Sequence, residues 1–127
     1  QKSASYDDVT EEVLNFLRER VQVCFDSGIG RSHLVIDPGF GFGKSLQHNY
    51  QLLKNLPRLQ ELNLPILVGI SRKSMIGGIT GTPVDERLAG TIAATTHALL
   101  SGANIVRAHD VAATVDAIRV NSAFSVA

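Results

Sequence analysis

Apolar residues recur along the chain with two alternating periods. Over residues 6–26, Val9, Val13, Leu14, Phe16, Leu17, Val21, Cys24 and Phe25 return at three- and four-residue steps, and Gly28 follows. That spacing predicts an amphipathic helix with a small residue past its end. HLVID at 33–37 is instead a short apolar run closed by Asp37 and Pro38, and it leads through a Gly-rich loop into a helical pattern over 45–62. The order strand, loop, helix returns twice. PILVGIS at 65–71 precedes a Gly/Thr-rich loop and a helix expected over 84–100, and NIVRAHD at 104–110 precedes a helix expected over 111–124. Short buried strands alternating with helices predict the parallel βα units of an α/β fold. No internal repeat, low-complexity tract or linker divides them, so residues 1–127 read as one domain.

Polar residues gather where each expected strand ends. Asp37 follows Leu34-Val35-Ile36; Ser71, Arg72 and Lys73 follow the run from Ile66 to Ile70; Arg107 and His109 follow Ile105-Val106. Parallel α/β folds build their sites at the C-terminal strand ends, so a carboxylate, a hydroxyl and several cations are expected at one mouth. Arg107 and His109 stand two apart and share a strand face, where they either meet a ligand or pair with Asp110. The loop DPGFGFGKS at 37–45 is not a Walker A loop, because the position five before Gly43 is Pro38. It is not G-x-G-x-x-G either, since Gly39, Gly41 and Gly43 alternate with Phe40 and Phe42. Read without their neighbours, Asp-Pro-Gly is a turn and Ser-Arg-Lys a solvated basic loop.

Charge narrows the partners. Lys plus Arg and Asp plus Glu number 12 each, so no global field draws the chain to nucleic acid or an anionic membrane, and any anion site is local. No apolar run approaches the roughly 20 residues of a membrane span. The one cysteine, Cys24, allows no intrachain disulfide; it fits a reducing compartment and a core position on its helix, with the cytoplasm as default. His33, His48 and His97 show no metal-ligand spacing and read as surface or capping groups. Lys44 and Ser45 open a helix, with Ser45 its expected N-cap. The only methionine is Met75, and QKSASYDD at 1–8 holds no signal-peptide core. The chain is therefore expected to be a piece of something longer.

Four stretches carry a family resemblance. IDPGFGFGK (36–44), LVGISRKSMIG (67–77), ERLAGT (86–91) and IVRAHD (105–110) together resemble the dihydropteroate synthase family of the folate pathway. The resemblance covers essentially the whole chain but only the C-terminal half of the family's eight-stranded (β/α)8 TIM barrel, which has about 250 residues or more. It implies that residues 1–127 are a partial pterin-binding barrel domain: the helix after strand five, then parallel strands six to eight with their helices.

The resemblance also implies roles. Asp37 would accept paired hydrogen bonds from the amidine-like edge of a pterin, a charge-assisted and orienting contact. Phe42 would wall the ring, Gly69 would allow close approach, and Lys73 would donate to the pterin's acceptor side. Ser71 and Arg72 would line the place of p-aminobenzoate, beside a following helix N-terminus. Arg107 and His109 would bind the substrate's pyrophosphate, so that Lys73, Arg107 and His109 carry the catalytic expectation. The implied reaction condenses 6-hydroxymethyl-7,8-dihydropterin pyrophosphate with p-aminobenzoate in a sulfonamide-targeted, homodimeric, cytoplasmic enzyme. Its Mg²⁺ would take its ligand from the N-terminal half, and no metal ligand is assigned in this chain. Two alternatives stand beside it: a pterin-binding methyltransferase barrel, and a non-catalytic half-barrel that acts only with a partner chain.

Overall fold

A computed structural model describes residues 8–127 as a helix-rich α/β arrangement; the expected start of the first helix at residues 6 and 7 lies outside the described residues. Helix α1 runs Val9–Asp26. The Asp8 side chain accepts from the Glu11 N–H at 2.9 Å, and Glu11 and Glu12 place negative charge in the first turn, where the helix dipole favours it. Val9, Leu14 and Leu17 of its apolar stripe are buried, whereas Phe16 faces outward and Cys24 is half-buried rather than a core thiol. Arg58 tethers the helix start through Asp8 and Glu11, and Arg18 tethers its middle through Glu61.

The helix expected over 45–62 is two elements. Helix α2 covers Leu46–Lys54, capped by the Ser45 hydroxyl accepting from the His48 N–H at 3.1 Å. A 3₁₀ helix, Leu56–Leu62, then takes over with proline in its first turn. Pro57 has no N–H to continue an α-helical ladder and disfavours α geometry at the residue before it. Asn63, at φ 54°, ends the run in a left-handed conformation.

Three extended segments lie parallel. Ile36 bridges to Ile66, and strand β1 (Leu67–Val68) pairs with β2 (Ile105–Val106), Leu67 opposite Ile105 and Val68 opposite Val106. The strand expected over 33–37 is thus reduced to one bridge, and His33 belongs to a 3₁₀ turn, Arg31–His33, held by the Arg31 guanidinium on the carbonyls of Leu62 and Asn63. The Asn104 side chain accepts the Ile66 N–H at 3.0 Å and fixes the start of β1.

Helix α3, Ser74–Thr80, occupies what the Gly/Thr composition suggested was loop. Its two glycines carry a poor helix propensity, and packing overrides it. The Arg87 guanidinium lies against Gly77, and Leu46 against Gly78. A 3₁₀ turn, Val84–Glu86, then leads into α4, Leu88–Leu100, so the helix expected from residue 84 starts four residues later. Helix α5, Val111–Ser125, packs on α4. The core lies between the sheet and the helices: Ile36, Ile66, Val68 and Ile70 meet Leu52, Leu56, Leu59, Met75, Ile76 and Ala98.

Candidate functional site

Side chains alternate across a strand, and the alternation divides this sheet cleanly. Ile36, Ile66, Val68 and Ile70 point into the helices. Val35 and Asp37, Leu67, Gly69 and Ser71, and Ile105, Arg107 and His109 share the opposite parity. The parallel register brings Gly69 level with Arg107, whose N–H donates to the Val68 carbonyl at 3.0 Å. A Cβ built on Gly69 would lie 3.8 Å from the Arg107 Cβ and 3.9 Å from the Lys73 Nζ, so a bare backbone patch separates two cations.

The loop after Ile36 is shaped by its own polar groups. The Gly39 N–H donates to the exposed Asp37 carboxylate at 2.9 Å, which turns the chain directly after Pro38. Lys44 donates to the Gly39 carbonyl at 2.7 Å, and Lys73 reaches across from the next unit to the Phe40 carbonyl at 2.6 Å. Phe40 is buried, while Phe42 is 76 % exposed, its ring 5.2 Å from the Lys73 ammonium. Gly41, at φ 92°, lets the backbone pass the Lys73 stem, which a built Cβ would touch at 3.4 Å. Its N–H donates to the buried Asn49 side chain at 2.8 Å, and Asn49 in turn donates to the Ser45 carbonyl.

Two lysines, one arginine and one carboxylate therefore stand together. Partial burial lowers the Lys73 pKa below its ordinary value; the Arg107 charge adds to that, and Asp37 opposes it. Burial likewise lowers the Lys44 pKa, with Lys73 adding and Asp37 opposing. A cleft of about 380 Å³ opens between this loop and α1, bordered by Asp37, Gly39, Phe42 and Lys44. A larger cleft of about 650 Å³ lies among α2, α3 and α4, but Tyr50, Ile76, Ile79 and Ala94 make it mostly apolar, and it lacks the convergence of charge found at the strand ends.

The turn at Ser71-Arg72-Lys73 is already engaged. Ser71 is buried, its hydroxyl 2.8 Å from His109 Nδ1 and accepting the His109 N–H at 3.2 Å. Arg72 forms a fork with Asp110, Nη2 to Oδ1 at 3.0 Å and Nε to Oδ2 at 3.4 Å, which raises its already high pKa further. Asp110 thus pairs with Arg72 rather than with Arg107 or His109. Arg107 is exposed and makes no ion pair among the described residues. Asp37, Lys73 and Arg107 meet at one end of the sheet; Ser71 and Arg72 are turned toward their own partners; Phe42 stands at the rim. Asn49 was not singled out from the sequence, and Arg87 and Thr91 stood only within the ERLAGT stretch, with no role given to either. Asn49 carries a usable signal, an amide on the buried stripe of α2.

Among the described residues no group of three or more His, Cys, Asp or Glu side chains could hold a metal ion. Nor is any helix of the described residues long and apolar enough to cross a membrane.

Comparison with known proteins shows the family. Residues 1–109 match the family described as "Pterin binding enzyme". A dihydropteroate synthase of Haemophilus influenzae is 48% identical over 120 residues, covering 94% of this chain and 44% of the relative, and that of Escherichia coli K12 gives 48%, 94% and 43%. The solved structure of dihydropteroate synthase from Xanthomonas albilineans in complex with 7,8-dihydropteroate superposes with a TM-score of 0.92 at 51% identity, covering 95% of this chain and 47% of that one. The Yersinia pestis synthase gives 0.92 at 43%, covering 95% and 50%. The chain spans about half the length of the proteins it matches, and on the match over residues 1–109 it belongs to the pterin-binding enzyme family.

Proposed function

We propose that this chain is the C-terminal half of a dihydropteroate synthase, with its three parallel segments as strands six to eight of an eight-stranded βα barrel. The observation that carries the reading is the meeting of Asp37, Lys73 and Arg107 at one end of the sheet in a chain 48% identical to proteins of that name. The relatives' shared name favours the synthase over the methyltransferase alternative.

In this reaction the aryl amine nitrogen of p-aminobenzoate attacks the exocyclic carbon of the dihydropterin. A C–N bond forms as the C–O bond breaks, pyrophosphate leaves with the bonding pair, and the new ammonium loses a proton to solvent. No protein nucleophile is needed, so positioning and charge carry the rate. The Asp37 carboxylate accepts from the N–H edge of the pterin, and Lys73 donates to the ring's acceptor side. Gly69 lets the ring lie against the backbone, and Phe42 offers an apolar wall. Arg107, which has no carboxylate partner among the described residues, receives the leaving pyrophosphate beside His109. Ser71 and Arg72 border the place of p-aminobenzoate and hold the shape of its rim through His109 and Asp110. The Mg²⁺ of the resemblance would be held by residues outside this chain, and no step is assigned to it. The homodimeric, cytoplasmic state belongs to the same proposal.

The test is pyrophosphate release by the full-length protein that carries this chain. Release is expected to require both the pterin pyrophosphate and p-aminobenzoate. Arg107→Ala is expected to weaken the pyrophosphate ester while leaving bare 6-hydroxymethylpterin almost unaffected. Absence of p-aminobenzoate-dependent release overturns the synthase reading; equal losses for both ligands move Arg107 to a structural role.

A further inference from the structure

The turn that presents Lys73 has a backbone that its own sequence does not favour. The Lys73 N–H donates to the Ile70 carbonyl at 3.1 Å, closing a four-residue turn over Ile70, Ser71, Arg72 and Lys73. Arg72 occupies its third position at φ 60°, the place where a turn of this kind calls for Gly or Asn. A side chain in the left-handed region persists only when its surroundings over-determine it. Here they do. The Arg72 N–H donates to Thr91 Oγ1 at 3.1 Å, and the Arg72 carbonyl accepts from Arg87 Nη1 at 2.8 Å. Both peptide partners come from one turn at the start of α4, since the Thr91 N–H itself donates to the Arg87 carbonyl at 2.9 Å.

Each clamp is fixed in its turn. Arg87 Nε donates to the Thr82 carbonyl at 3.0 Å, and its guanidinium fills the space over Gly77, where a built Cβ would lie 2.4 Å from Nη2. Thr91 is buried. We propose that Arg87 and Thr91 are positioning residues of the site: they hold the Arg72 peptide left-handed and so aim Lys73 at the Phe40 carbonyl and the Asp37 side of the mouth. The side-chain hydrogen bonds of Arg87 and Thr91 go to Arg72 and Thr82, not to the Asp37 loop, so each acts through Arg72. This assigns work to the ERLAGT stretch, which no ligand role had claimed, and its ligand readout rests on the pterin reading above.

The experiment is a rescue in the full-length protein. If Arg87 supports a conformation that arginine dislikes and glycine adopts freely, its loss matters less once Arg72 is glycine. Two quantities are read: affinity for 6-hydroxymethylpterin, and amide exchange at Lys73, whose N–H closes the turn. Arg87→Met is expected to cost about tenfold in affinity and to speed that exchange about tenfold. In an Arg72→Gly background the same change is expected to cost roughly threefold or less in each. Thr91→Val, which disturbs volume little, is expected to remove the exchange protection of the Arg72 amide. Equal effects in the two backgrounds, or retained protection of Arg72 in Thr91→Val, overturn the inference. If the wild-type protein binds no pterin, the functional reading falls and the exchange results alone decide this one.

Discussion

Lys73 answers to Asp37, Arg107 and its own burial at once, which makes it a reporter of the whole mouth. Asp37 is the shared influence that raises the pKa of both Lys73 and Lys44. Asp37→Asn is therefore expected to move both ammonium titrations to lower pH, as followed by NMR of labelled lysine; unchanged titrations would separate Asp37 from the lysines. The sign for stability follows from the lowered Lys73 value. Between that value and the ordinary 10.5, the unfolded chain binds more protons than the folded one, so this group makes stability rise with pH across that window. Lys73→Met flattens the rise in urea titrations.

Gly69 makes a second residue-scale prediction. An added methyl would find ordinary contacts with Arg107 and Lys73 rather than a clash. Gly69→Ala is thus expected to keep or slightly raise stability, by up to about 1 kcal/mol, while weakening the pterin ligand; urea unfolding beside calorimetry checks both. Asp37, Lys73 and Arg107 were legible as a strand-end cluster, though the roles given to them came only from the family resemblance. Arg87 and Thr91 were not, because they bind peptide groups 15 and 19 residues away, and no periodicity marks such a partner.

Elements show the same division between local and distant causes. The amphipathic stripe of α1 and the Ser45 cap of α2 were readable because their determinants lie within a few residues. The break at Pro57 is also local, yet the apolar period runs through it and conceals it. Helix α3 was illegible for the opposite reason: its glycines argue against a helix, and what favours it is the close approach of other elements. Gly90 on α4 measures that competition. A Cβ there would lie 2.5 Å from Ile76 Cγ2 on α3. Alanine gains about 1 kcal/mol of helix propensity over glycine, whereas overpacking costs roughly 1–3 kcal/mol. Gly90→Ala is therefore expected to be net destabilising by about 1 kcal/mol, read as a lower urea midpoint; a rise would mean that α3 and α4 can separate freely.

For the whole molecule, the three parallel segments leave their flanks without partners among the described residues: Ile36 meets only Ile66 and β2 meets only β1. Val35 and Ile105 remain 48% and 40% exposed on the face that carries Asp37 and Arg107. Unpaired edges beside exposed apolar side chains favour association. A polypeptide of these 127 residues alone is expected to self-associate as its concentration rises, seen by light scattering and analytical ultracentrifugation; a monodisperse monomer at high concentration would show the edges to be covered. The parallel order of the three units was legible from the alternation of periods. What lies beside their two flanks was not, because neighbours outside these residues leave no mark in their periodicity. The two-sided sheet also separates what can vary from what cannot. On the barrel reading, a library that randomises Asp37, Gly69 and Arg107 at the strand ends would sample new ligand preferences on a standing scaffold, whereas the same library at Ile36, Ile66, Val68 and Ile70, or at Val35, Leu67 and Ile105 on the face that would fill the barrel, would lose the scaffold first. On that reading, recognition would drift at the strand ends by steps that leave folding almost untouched.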